Sequence, residues 1–115
     1  MLKDTSLGEF EHLILLAIMR LGEDAYGMKV RREIADRTGR DAAIGAVYAT
    51  LDRLAAKGLV KSSLGESTAE RGGRAKRTFR ITPAGLRAVE HTQENLREMV
   101  DGLRVPLARH GERNA

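Results

Sequence analysis

Apolar residues recur at three- and four-residue intervals through Leu7, Phe10, Ile14, Ala17 and Leu21, and Leu13, Leu16 and Ile18 widen the stripe. The period is helical, and its width predicts a helix over 7–21 that is covered on most sides. Ser6 followed three residues later by Glu9 has the form of a capping box, and Gly22 ends the helix. A second helix is predicted over 27–38, with Tyr26, Val30 and Ile34 on one face, cations and acids on the others, and Gly39 as its stop. It packs on one side and is wet on the other. A third, over 43–57, turns Ile44, Val47, Tyr48, Leu51 and Leu54 inward, with Asp41 as the expected N-cap and Gly58 just past its end.

The outer face of this third helix is unusual. Gly45, Ala46, Ala49, Thr50 and Arg53 are small groups with one long cation, and Asp52 is the one acid near them. Such a surface suits close approach to another molecule, and it explains a glycine that costs a helix about 1 kcal/mol relative to alanine. The pattern then changes. Leu59–Leu64 and Lys76–Ile81 are two short, partly alternating segments around the polar, Gly-rich and basic stretch 65–75, the arrangement of a β-hairpin with an extended tip. Thr82-Pro83 supplies an N-cap with proline at the first helical position, opening a last helix expected to run towards Arg104. In it Leu86, Val89, Gln93, Leu96, Val100, Leu103 and Leu107 alternate spacings of three and four, the seam of a coiled coil. Pro106 is expected to end or kink that helix near Val105, and the tail 109–115 to be frayed.

Composition narrows the class. A chain of 115 residues fits one domain and not two. Its few aromatics (Phe10, Tyr26, Tyr48, Phe79) and absence of Trp suit an aliphatic, helix-rich fold better than a β-sandwich. With no cysteine there are no disulfides, thiolate metal sites or cysteine nucleophiles, as a reducing cytoplasm permits. The longest apolar run, Leu13–Met19, is far short of the roughly 18 residues of a membrane span, and no signal peptide is indicated.

The net charge of +4 conceals an asymmetry. Between Arg53 and Arg80 eight cations (Arg53, Lys57, Lys61, Arg71, Arg74, Lys76, Arg77, Arg80) face two acids (Glu66, Glu70), so this segment carries +6 and the remainder −2. Concentrated positive charge is the footprint of a nucleic-acid binder, and a solvated charged loop is the other reading of the run alone. The architecture separates the two. Three helices, the third with a small outer face, followed by a basic hairpin, is the order of a winged helix-turn-helix, in which the third helix enters the major groove and the wing lies along the backbone. The fold class expected is therefore mainly α with a small β-hairpin: a DNA-binding winged helix-turn-helix over 1–82, a C-terminal dimerisation helix over 83–108 in the same compact unit, and a flexible tail over 109–115.

Tyr26-Gly27, the run from Gly45 to Leu54 (GAVYATLDRL), Lys57-Gly58-Leu59-Val60, the run from Gly72 to Arg77 (GGRAKR) and Thr82-Pro83-Ala84-Gly85 resemble the PadR-type transcriptional regulators. The resemblance covers about Gly8 to Met99 and rests on five pieces in order. It implies a bacterial or archaeal repressor, dimeric, bound to a pseudo-palindromic operator in double-stranded DNA, and similar to the smaller members with a single short C-terminal helix. Tyr48 resembles the family's characteristic tyrosine of the third helix. Some small members hold flat aromatic drugs between aromatic side chains at the dimer centre. Here the last helix has no aromatic residue, which argues against that ligand mode.

The residues expected to meet DNA are Ala46, Tyr48, Thr50, Arg53 and Lys57 from the third helix and Arg71, Gly72, Gly73, Arg74, Lys76 and Arg77 from the wing (65–77). For Arg53 the alternative is a surface pairing with Asp52; for Tyr48 it is pure core packing; for Lys57 it is solvation. Strand alternation puts Phe79 in the core with Arg77 on the same face. The seam Leu86, Val89, Gln93, Leu96, Val100 and Leu103 is expected to form a homodimer, with packing back on the first helix as the alternative and both together allowed. His12, His91 and His110 have neither metal-ligand spacing nor a nucleophile nearby, so neither catalysis nor a cofactor is expected. The competing functional class is a winged-helix protein-interaction module.

Overall fold

The computed structural model describes residues 7–65 and 76–104, and the wing tip therefore lies outside the described residues. Four helices and one hairpin follow in order: α1 (Glu9–Leu21), α2 (Gly27–Thr38), α3 (Ile44–Ala56), β1 (Val60–Leu64), β2 (Arg77–Ile81) and α4 (Pro83–Val100), with a single 3-10 turn, Gly22–Asp24, between α1 and α2. The fold is the one expected from the periodicity.

The core is aliphatic. Ile14, Leu15 and Ile18 of α1, Val30 and Ile34 of α2, and Val47, Leu51 and Leu54 of α3 meet there, and Val60 and Phe79 close it from the hairpin. Removing this apolar surface from water is the main force that holds the three helices together, since helices of 12 or 13 residues are marginal alone. The strands pair antiparallel with Val60 opposite Ile81, Ser62 opposite Phe79 and Leu64 opposite Arg77. On the far edge of β2, the Phe79 amide donates to the Ala25 carbonyl at 2.8 Å and Tyr26 bridges Thr78. The turn before α2 is thereby stitched to the wing, a contact that no pattern in the sequence announced.

Two helix starts differ from expectation. At α1 the N-cap is Gly8, and the Glu11 carboxylate accepts from the Gly8 amide at 3.0 Å; the expected partner Ser6 lies outside the described residues. At α3 the N-cap is Ala43, with no side-chain cap, and Asp41 instead pairs with Arg31 Nη2 at 3.0 Å. Asp41 stands too far before the helix, and Arg31 also donates through Nε to the Ala42 carbonyl at 2.6 Å, so α2 secures this loop. At α4 the expected start is observed: the Thr82 hydroxyl accepts from the Gly85 amide at 3.0 Å with Pro83 in the first turn.

The end of α4 is a correction. The helix stops at Val100, four residues before the expected Arg104, because Asp101 leaves helical geometry (ψ 131°) into a turn with Gly102. Leu103 therefore lies beyond the helix. The seam also divides. Val89, expected at a dimer interface, is 4% exposed in the core of its own chain, alongside Ala88, and the next turn is tied down by Leu7, whose amide donates to the Thr92 hydroxyl at 3.0 Å. Leu86, Gln93, Leu96, Val100 and Leu103 remain exposed, with Met99 among them at 76%.

His12 is half-buried in α1, and its Nε2 is buried with no hydrogen-bond partner among the described residues. Burial lowers its pKa below the ordinary histidine value. The unfolded chain therefore takes up a proton that the folded one resists, so this contribution to stability is complete above about pH 6.5 and is lost as pH falls through the lower folded value. Urea midpoints compared at pH 7.5 and 5.5 should fall more for the wild type than for His12→Leu. Equal falls would assign the titration to other groups.

Candidate nucleic-acid interface

The α3 surface that faces away from the core consists of Gly45, Ala46, Ala49, Asp52, Arg53 and Ala56, all exposed. It is small, as expected, but Thr50 is missing from it and Asp52 and Ala56 join it. Thr50, expected on this outer face, is 4% exposed. It sits at the margin of the stripe made by Val47, Leu51 and Leu54, and its hydroxyl is 3.4 Å from Arg53 Nη2. Asp52 takes the outward position instead, and accepts from Arg77 Nη2 of β2 at 2.9 Å.

The two cations of α3 converge on one acid. Lys57 Nζ lies 2.8 Å and Arg53 Nε 3.5 Å from the same oxygen of Glu11, Oε2, on α1. Burial pushes the Glu11 carboxyl up, but the hydrogen bonds from Lys57, the Gly8 amide and Arg53, with the charge of Lys57, outweigh it and hold the group below the usual carboxylate range. Arg53 is not paired with Asp52, the surface alternative; its partners are Glu11 and Thr50. Tyr48 is half-buried, with its hydroxyl end against the first turn of α2. A Cβ on Gly27 would stand 2.5 Å from the Tyr48 oxygen, so the Tyr26-Gly27 and Tyr48 pieces of the sequence are one packing unit.

At the wing base, Lys76 Nζ lies 4.4 Å from the centre of the Tyr26 ring and 3.5 Å from Asp24 Oδ1. Asp24 is shared with Lys29 at 2.6 Å, and that hydrogen bond is the main cause of its lowered pKa. Arg77 lies over the Phe79 ring at 4.9 Å, on the same face of the strand as alternation requires. Arg71, Gly72, Gly73 and Arg74 fall outside the described residues. Among the described residues, Lys61 and Arg80 face each other across the hairpin without an ion-pair partner. Their like charges repel at that spacing, so an anion between them would be welcome.

A wing and a small-faced third helix side by side, bridged by Asp52 and Arg77, form one continuous surface. The model of the Transcriptional regulator PadR-like family matches residues 15–91, from the middle of α1 to the middle of α4. The chain belongs to that family. PadR-like proteins are transcription regulators that bind DNA.

Solved structures of the same fold include a PadR-family regulator from Eggerthella lenta, 25% identical, with a TM-score of 0.65 over 83% of this chain and 82% of that one. A PadR-like regulator from Bacillus cereus is 24% identical, with a TM-score of 0.64 over 79% and 82%. The Bordetella bronchiseptica protein BpsR, whose DNA binding is regulated by 6-hydroxynicotinic acid, is 22% identical with a TM-score of 0.63 over 96% and 76%. No curated protein matches the sequence. Among the described residues of this PadR-like chain no group of acids and histidines could hold a metal ion, and no helix is long and apolar enough to cross a membrane.

Proposed function

We propose that this PadR-like chain is a dimeric repressor that recognises a pseudo-palindromic operator in double-stranded DNA. In this reading α3 enters the major groove and the wing follows the adjacent backbone or minor groove. The observation that carries it is the exposed face of Gly45, Ala46 and Ala49, bare enough for the helix backbone to approach base edges and bordered by Arg53 on one side and the wing on the other. Ala46 is suited to contact a thymine methyl, and Arg53 a guanine edge or a phosphate. Tyr48 and Lys57 stand at the rim. Arg71, Arg74, Lys76 and Arg77 would release counterions from phosphate, with Gly72-Gly73 letting the tip come close. Thr50 leaves the list of groups that touch DNA, for the burial given above.

The dimer would use the far half of α4. Leu96, Met99, Val100 and Leu103 are large apolar side chains left exposed in one chain, and two copies paired there would set their α3 helices about one DNA turn, ~34 Å, apart. In this reading the DNA-binding part spans 1–82 and the dimerisation segment begins with α4, which ends at Val100, and the first half of α4 also belongs to the core of the first part.

The wing is tested by salt. Replacing Arg71 and Arg74 together with alanine should weaken binding to any duplex and reduce the slope of log K against log salt by about 2 per subunit. An unchanged slope would remove the wing from the interface. Binding to duplex DNA that does not respond to salt at all would favour a protein-interaction module.

A further inference from the structure

Glu11 is an odd residue to find at 8% exposure. A buried carboxylate is costly, and a well-packed apolar side chain in its place would serve the fold as well or better. Here both oxygens are in use. Oε1 accepts from the Gly8 amide at 3.0 Å, while Oε2 takes Lys57 Nζ at 2.8 Å and Arg53 Nε at 3.5 Å. One acid on α1 thus binds both cations of α3, 42 and 46 residues away in the chain.

The consequence falls on Arg53. Its guanidinium is held at Nε by Glu11 and at Nη2 by the Thr50 hydroxyl, 3.4 Å away, while the side chain stays 53% exposed. A guanidinium is a rigid planar fork with five N–H donors, so fixing one edge aims the other. The side chain, with its remaining donors, is half-exposed at the margin of the bare α3 face. A flexible arginine at that place would reach phosphates on any sequence. A fixed one meets a single position on the duplex and rewards only the base or phosphate geometry found there.

We propose that Glu11 is a positioning residue for DNA recognition: through Arg53, with Thr50 as the second bracket and Lys57 as the counter-charge, it sets the orientation in which α3 presents the Arg53 guanidinium. This rests on the reading of α3 as the helix that enters the groove. It also gives buried Thr50 a task that its loss from the contact surface left open.

The test compares two duplexes of equal length: one selected from a randomised library by the wild-type protein, and one of random sequence. Glu11→Gln keeps the size of the side chain and an acceptor for the Gly8 amide, but loses the charge that holds the two cations. The ratio of the two affinities should fall about tenfold, the loss of one well-oriented charged hydrogen bond, with binding to the random duplex unchanged or tighter. In an Arg53→Ala background the same substitution should leave the ratio unaltered. A proportional loss on both duplexes would make Glu11 a merely structural residue. A proportional gain on both would make it a simple repulsive charge. Either result overturns the proposal, as does an equal effect with and without Arg53. If the wild type itself selects no sequence, the groove-reading role of α3 falls, and the Glu11 role with it; a wild type that discriminates while Glu11→Gln does so equally well overturns the Glu11 role alone.

Discussion

Gly85→Ala is expected to destabilise the protein by about 1–3 kcal/mol and to lower Tm by roughly 5 °C or more, measured by thermal unfolding. Two effects oppose each other at this site. Alanine is the better helix former by about 1 kcal/mol. Against that, a Cβ on Gly85 would overlap the carbonyl oxygen of Leu59, stand 2.7 Å from Ile81 Cγ1 and lie 3.2 Å from the Leu59 carbonyl carbon. A peptide carbonyl cannot swing aside as the end of a lysine can, so relief requires α4 to lift from the hairpin base. That lift pulls on the Thr82 node, where the hydroxyl donates to the Gly58 carbonyl at 2.7 Å, the amide donates to the Leu59 carbonyl at 3.1 Å, and the hydroxyl accepts from Gly85 itself. The overlap therefore wins. Gly45→Ala is the control, since a Cβ there meets nothing within 4 Å; the same exchange should stabilise by up to about 1 kcal/mol. If both variants gained stability, the close approach of α4 to the hairpin would be refuted.

The second large effect is on assembly. If the proposed dimer forms through the far half of α4, Leu96→Glu combined with Val100→Glu should convert it to a folded monomer in sedimentation and reduce affinity for a two-half-site duplex by at least about 100-fold, because the second half-site would no longer be engaged within one complex. Stability of the single chain should change little, since the two side chains are 56% and 45% exposed in it. A single half-site duplex should lose far less. An unchanged sedimentation coefficient would overturn the proposed dimer through this half of α4. The seam also shows how a regular pattern misleads. Its spacing runs unbroken from Leu86 to Leu103, yet α4 is buried only as far as Thr92, which meets Leu7 just before α1 begins. Before that point Val89 packs on its own chain while Leu86 stays 41% exposed; past it, nothing described covers the stripe.

Much of the fold was legible because its signals are local. Both ends of α2 are where Tyr26 and Gly39 put them, the hairpin follows the change of period, and Thr82-Pro83 opens α4. The site was legible only in outline. A small, poorly charged outer face on α3 could be read from residue types, because exposure of alanine and glycine follows from the apolar stripe opposite. Thr50 and Asp52 could not be assigned: each lies at a margin of that stripe, where a few tens of degrees of helix rotation decide between burial and solvent. Tertiary packing makes that decision, leaving Thr50 at 4% exposure and Asp52 exposed.

Charge divides in the same way. The sequence by itself determined the order of elements and the concentration of +6 between Arg53 and Arg80, since periodicity, turn residues and composition act over a few neighbours. Which acid answers which cation was decided by tertiary structure alone. Glu11 meets Lys57 and Arg53, Asp24 meets Lys76, and Asp52 meets Arg77. These pairs join elements far apart in the chain, and an ion pair exists only where two packed surfaces bring its charged atoms within about 4 Å.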